Sequence, residues 1–191
     1  ANGKAWFSAQ TGTESELWES DGAPAGTVRH DLNPNGQSSG PTGLVAYGTK
    51  LIFAATGPSG TEPYIVDAEG AHLLADLNVQ PSSAPGSFAV LGTKVLFAAD
   101  DGEHGRELWI SDGTPGGTGL LTDLAPATGA SSNPTQLITV GDYVFFRADH
   151  PTAGGEVFRT DGTAEGTVLV TDICPGATTS NPTNFYAAGA T

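Results

Sequence analysis

Short apolar runs bounded by Gly, Pro, Asn and Ser recur along the whole chain. They carry no sustained 3.6-residue periodicity, so they read as β-strands rather than as amphipathic helices. After Asp76 the runs fall at 88–91, 94–99, 107–111 and 119–123. Gly92-Thr93 separates the first two as a two-residue hairpin, and Gly141-Asp142 does so later in the chain. The third and fourth runs are joined by the stretch 112–118, Asp-Gly-Thr-Pro-Gly-Gly-Thr, and the stretch 161–167 is its counterpart. An Asp at the start of such a turn accepts backbone N–H groups, and the Gly residues can take positive φ. The pattern therefore predicts units of four antiparallel strands.

These units repeat. Glu16-Leu17-Trp18 returns as Glu62-Pro63-Tyr64, Glu107-Leu108-Trp109 and Glu156-Val157-Phe158. A second landmark keeps step: Asp31, Asp76, Asp123 and Asp172. The spacing of about 45 to 49 residues is that of propeller blades, not of helical solenoids. Residues 3–9 match a second strand and residues 184–189 match a first strand. The expected fold is thus all-β: one four-bladed β-propeller over residues 1–191, with four antiparallel strands per blade and repeats of about 48 residues. The C-terminal strand is expected to complete the N-terminal blade and close the ring, which would remove an open sheet edge.

Packing positions repeat as well. Phe7, Phe53, Phe97 and Phe146 share one place in the second strand, and Ala9, Ala55, Ala99 and Ala148 follow two residues on, pointing the same way. Trp18, Tyr64, Trp109 and Phe158 share one place in the third strand. A large ring in every unit suits face-to-face packing of twisted sheets.

Charge narrows the partners. Seven Lys and Arg stand against 21 Asp and Glu, a net charge of −14. Nucleic acid and anionic membranes both reward clustered basic residues, so neither is an expected partner. No apolar run is long enough for a membrane span, so no membrane insertion is expected. Cys174 is the only cysteine, which excludes an internal disulfide. It has no counterpart in the other repeats and reads as a small packing residue. The sequence contains no Met and begins Ala1-Asn2-Gly3, as a mature or excised product would.

The stretch 107–118, Glu-Leu-Trp-Ile-Ser-Asp-Gly-Thr-Pro-Gly-Gly-Thr, preceded by 99–105, Ala-Asp-Asp-Gly-Glu-His-Gly, resembles the ELWxxDGT repeat of large secreted and surface bacterial proteins. The Ser131-Ser132-Asn133-Pro134-Thr135 link resembles that family too. The likeness covers essentially the whole chain. It departs in the second repeat, where Asp67-Ala68-Glu69-Gly70 replaces the Asp-Gly-Thr turn. The resemblance implies an extracellular, repeat-built protein oriented to ligands or adhesion, with no known catalytic set.

Several clusters invite chemistry. The repeated Glu16, Glu62, Glu107 and Glu156 suggest a ring of ligands, but four-fold recurrence favours one structural hydrogen bond per blade. Asp100, Asp101, Glu103 and His104 crowd one loop, with Arg106 at its end, and Asp149-His150 occupies the equivalent place later. Calcium or another ion in this loop, or in a central channel, is an option that the carboxylates offer, although EF-hand spacing is absent. No cofactor is required. The stretch 36–40, Gly-Gln-Ser-Ser-Gly, has the letters of a nucleophile elbow but lies in a strand link, not between a strand and a helix.

The leading expectation is a secreted or surface-displayed, non-enzymatic module that binds carbohydrate, such as a cell-surface glycan, in a lectin-like way. The expected contacts are Asp100, Asp101, His104, Arg106, Asp149 and His150, with Trp18 and Trp109 as weaker candidates because packing claims large rings. Two other classes compete: a polysaccharide-acting enzyme with its site in one specialised blade, and a structural or adhesion repeat without a small-ligand site. Oligomerisation is left open, and repeated weak sites would gain by avidity.

Overall fold

The computed structural model describes residues 3–79 and 82–189. It is almost entirely β, with the only helical turns being two short 3-10 turns among the described residues, at Pro24–Gly26 and Pro115–Gly117. Four antiparallel sheets follow one another along the chain. The first contains β1 (Ala5–Thr11), β2 (Glu14–Ser20) and β3 (Val28–His30). The second contains β4 (Thr42–Tyr47), β5 (Lys50–Gly57), β6 (Gly60–Asp67) and β7 (Gly70–Leu73). The third runs through β8 (Gly86–Leu91), β9 (Lys94–Asp100), β10 (Arg106–Ser111) and β11 (Thr118–Thr122). The fourth runs through β12 (Thr135–Val140), β13 (Tyr143–His150), β14 (Gly154–Thr160) and β15 (Val168–Thr171).

Strand order within each sheet follows chain order, because each connection is a local hairpin. The chain forms two compact units, Ala1–Gly86 and Ser87–Thr191. The first holds sheets one and two, and the second holds sheets three and four, with β8 beginning at the boundary residue.

Each unit has its own core. In the first, Leu17 packs with Leu51, Phe53, Ala55, Tyr64 and Val66. In the second, Leu96 and Leu108 pack with Val144, Phe146, Ala148 and Phe158. The repeated aromatics pair across strands: Phe53 lies opposite Tyr64, Phe97 opposite Trp109 and Phe146 opposite Phe158. Phe53, Phe97 and Phe146 are fully buried, each worth roughly 2–3 kcal/mol of hydrophobic stabilisation. Phe7 departs from this pattern at 38% exposure.

One expected strand is also absent. The first sheet has three strands, and the expected fourth strand from residues 184–189 does not form. Locally the segment keeps the shape of a first strand. Ser87, Gln136 and Asn184 all take positive φ, of 54°, 55° and 58°. Ser87 and Gln136 lie within paired strands, whereas the backbone N–H of Phe185 donates to the Gln136 side chain at 3.4 Å. The strand-like sequence is therefore present without a strand ladder of its own. Cys174, read as a packing residue, is half-buried.

The repeated turn explains the recurring letters. In the third sheet, Asp112 Oδ1 accepts the Thr114 N–H at 2.9 Å and its hydroxyl at 2.7 Å. Thr114 Oγ1 in turn accepts the Gly117 N–H at 3.0 Å. Asp161, Thr163 and Gly166 repeat the arrangement. A Cβ on Gly26, Gly117 or Gly166 would overlap the carboxyl group of Asp21, Asp112 or Asp161, so the turn demands glycine there. The second sheet lacks these letters, and β6 and β7 close instead as a direct hairpin with Asp67 opposite Gly70.

Candidate functional site

The four repeated glutamates are fully buried, and each clasps the strand link that follows its own sheet. Glu107 Oε1 accepts the Ser132 N–H at 2.6 Å, while Oε2 accepts the Ser132 hydroxyl at 2.5 Å and the Leu124 N–H at 3.0 Å. Glu62 holds Ser83 and Leu77 in the same way, and Glu156 holds Ser180 and Ile173. Glu16 accepts from Ser39 through backbone and hydroxyl, and from the Leu32 N–H. The recurring glutamate is thus structural. Its partner is the second residue of an adjacent hydroxyl-bearing pair in each link, a signal visible as Ser38-Ser39, Ser82-Ser83, Ser131-Ser132 and Thr179-Ser180. The elbow-like stretch 36–40 is one of these links, with Ser38 Oγ accepting the Ser15 N–H at 3.0 Å.

By fixing the link after β11, Glu107 also positions what lines the second unit's clefts. One cleft, of about 220 Å³, is lined by Ala125, Ala127, Ala130, Ser131, Asp149, His150 and Pro151. A neighbouring cleft of about 200 Å³ is lined by Glu103, His104, Asp123, Pro126, Ala127 and Thr128. Ala127 belongs to both, so the two flank one loop. The two loops singled out in the sequence therefore converge on a third segment, 123–131. Periodicity gave no sign of Asp123 as a cleft residue, because it shares its position with three structural repeats.

Within the first loop, the backbone uses much of the carboxylate capacity. Asp100 Oδ1 accepts the Gly102 N–H at 2.7 Å. Asp101 Oδ1 accepts the N–H groups of Glu103 and His104 at 2.9 and 2.8 Å, and Asp101 Oδ2 lies 2.7 Å from His104 Nδ1. Partial burial works to raise the Asp101 pKa, but the hydrogen bonds from His104 and Glu103 outweigh it and hold the carboxyl below its ordinary value. The same contact raises the His104 pKa, since the Asp101 acceptor stabilises the imidazolium against partial desolvation. Among the described residues, no group of three or more His, Cys, Asp or Glu is placed to hold a metal ion.

Asp149 receives Arg147 Nη2 at 2.6 Å, and its own N–H donates to Ser132 O at 2.6 Å. His150 Nδ1 lies 3.1 Å from the Thr152 hydroxyl, and its ring is 6.1 Å from that of Phe158. Arg106 lines neither cleft. Its N–H donates to Ser131 Oγ at 2.9 Å and its carbonyl accepts from Asn133, so it helps anchor the link. The tryptophans also stand apart from both clefts. Trp109 is 7% exposed, Trp18 is half-buried opposite Phe7, and both indole nitrogens are buried without a hydrogen-bond partner.

No family model matches the chain, and no curated protein matches it. Solved structures do. Puromycin hydrolase aligns over 95% of this chain with 18% identity and a TM-score of 0.59. TolB from Acinetobacter baumannii aligns over 86% with 15% identity and a TM-score of 0.51. The chain spans 28% of the puromycin hydrolase chain and 39% of the TolB chain. These likenesses are to propeller-type structures, and with the four successive sheets they define the fold class as β-propeller. At this identity they speak to fold alone, because one architecture carries many activities.

Proposed function

We propose that the chain is a non-enzymatic binding module for carbohydrate, acting outside the cell. The observation that carries this reading is the pair of clefts flanking the 125–130 loop. Each is small, and each combines apolar Ala or Pro surface with a few side chains that donate or accept hydrogen bonds. Hydroxyl-rich neutral ligands need that mixture: C–H faces lie against apolar surface while hydroxyls meet carboxylates, imidazoles and serines. The Asp101–His104 pair and the Arg147–Asp149 pair hold their side chains in place, which lowers the entropic cost of binding.

A glycan array, run with and without a chelator, tests the reading. Binding that weakens at least tenfold when Asp149 and His150 are both changed to Ala supports it. Cleavage of a bound glycan would favour the enzyme reading instead. Absence of any glycan binding would leave the structural or adhesion repeat as the better account.

A further inference from the structure

A third cleft lies in the first unit, where the first sheet faces the β6–β7 hairpin of the second. It measures about 210 Å³ and is lined by Lys4, Trp6, Glu19, His30, Val66, Asp67, Ala68 and Gly70. Trp6 and Glu19 are opposite each other across β1 and β2. Lys4 Nζ donates to Glu19 Oε1 at 2.8 Å, and the Trp6 and His30 rings are 5.3 Å apart. His30 Nε2 is buried without a hydrogen-bond partner, the nearest acidic oxygen being Glu19 Oε1 at 3.8 Å.

The second unit shows what this position looks like when it only has to pack. Leu108 there matches Leu17, and both are fully buried. Relative to these leucines, Leu96 replaces Trp6 and Ile110 replaces Glu19. Thr122 lies opposite Leu108, where His30 lies opposite Leu17. Leu96 is fully buried and Ile110 packs against the core. The wedge end is filled as well, because a Cβ on Gly162 would meet the side chains of Leu91 and Ile110. The second unit therefore fills this wedge with aliphatic side chains, and the first lines it with an imidazole, an ammonium and carboxylates beside the core-packed indole of Trp6. Charged and polar groups in an inter-sheet wedge cost desolvation that Leu and Ile avoid. Trp6 itself packs against the first unit's core, so the departures that carry no packing gain are Lys4, Glu19 and His30, and such residues mark a functional position.

We infer that this cleft is a second, separate ligand site that takes a single neutral sugar ring. The indole of Trp6, beside Val66 and Ala68, offers an apolar wall for a ring's C–H face. Lys4 supplies donors, Glu19 and Asp67 supply acceptors, and the His30 ring forms part of the wall beside Trp6. The volume lies below the roughly 300–1,000 Å³ of pockets for drug-sized ligands, which limits the occupant to one residue of a glycan. The choice of sugar as ligand class rests on the reading proposed above; the existence of the site rests on the contrast between the two units.

The test uses the whole chain and four free sugars: glucose, galactose, mannose and N-acetylglucosamine. Two-dimensional NMR follows the Trp6 indole N–H, assigned with Trp6→Phe, and the backbone signals of residues 149–155. At least one sugar is expected to shift the Trp6 signal saturably. Replacing Trp6, Glu19 and His30 by the second unit's Leu, Ile and Thr is expected to abolish that binding while the melting temperature holds or rises. Glu19→Gln, which preserves shape, is expected to weaken it at least tenfold and serves if the triple variant does not fold. Shifts at 149–155 with none at Trp6 would overturn this inference and leave the proposed function standing. No shift at either place would overturn both. A Trp6 shift that survives Glu19→Gln unchanged would overturn the assignment of Glu19 as a ligand contact.

Discussion

Ser132 gives both its backbone N–H and its hydroxyl to the one buried carboxylate of Glu107, at 2.6 and 2.5 Å. The residues are 25 apart in sequence, so this contact ties the link between sheets three and four to the start of β10. Burial pushes the Glu107 pKa up, against the lowering effect of these hydrogen bonds and the one from Leu124. Glu107→Ala would leave the Ser132 and Leu124 N–H groups without their acceptor. Each buried donor left unsatisfied costs about 1–3 kcal/mol, so a loss of several kcal/mol is expected. Ser132→Ala removes only the hydroxyl and should cost about 1–2 kcal/mol. Urea denaturation of the two variants checks the order; equal effects would show that the clasp is not what holds the link.

Adjacent glycines in the third sheet's turn should respond differently to the same substitution. A Cβ at Gly117 would overlap the Asp112 carboxyl, whereas a Cβ at Gly116 meets nothing within 4 Å. Gly117→Ala is expected to break the Asp112–Thr114–Gly117 hydrogen bonds and cost about 1–3 kcal/mol. Gly116→Ala should stay within about 0.5 kcal/mol of the parent. Thermal melts of both variants decide this, and comparable losses would remove the steric account of the repeated glycine.

Much of this architecture is written locally, which is why it could be read. The runs at 94–99 and 107–111 fall within β9 and β10, because alternation and hairpin turns act between near neighbours. The structural role of Glu107 followed from its recurrence, and Ser132 recurs too, as Ser39, Ser83 and Ser180, but only the fold shows that the two meet across 25 residues. The strand expected at 184–189 is absent for a related reason. Residues 184–189 have first-strand letters and Asn184 has the matching φ of 58°, yet pairing is a tertiary outcome that local shape does not secure. The loops that line the second unit's clefts were visible as clusters around Asp101 and Asp149. Their meeting with the 123–131 segment was not, and neither was the first unit's cleft, because Trp6 and Glu19 look like ordinary strand residues until the matching Leu96 and Ile110 are seen packed.

Trp109 and His104 should separate packing from surface chemistry. Trp109 is 7% exposed and pairs with the fully buried Phe97. Trp109→Ala is expected to cost about 3–5 kcal/mol, the usual range for truncating a buried tryptophan. His104→Ala should cost far less, since the ring is only partly buried and its main partner is a neighbouring loop residue. Urea melts giving similar small changes for both would withdraw Trp109 from the core.

The Asp101–His104 contact predicts a bounded pH response. His104 has a raised pKa in the folded chain, so its favourable contribution is complete below its unfolded value of about 6.5 and is lost as pH rises through the folded value. Asp101 has a lowered pKa, so its contribution is present above its unfolded value of about 3.9 and is lost as pH falls through the folded value. Both contributions are therefore in force together between about pH 4 and 6.5. In that window the parent should exceed Asp101→Asn in stability by the largest margin, and the margin should narrow at higher pH and in stronger acid. NMR titration gives the direct reading: the His104 ring should titrate above a free histidine in the parent and move down in Asp101→Asn. An unchanged His104 midpoint in the variant would mean that the 2.7 Å contact does not govern its protonation.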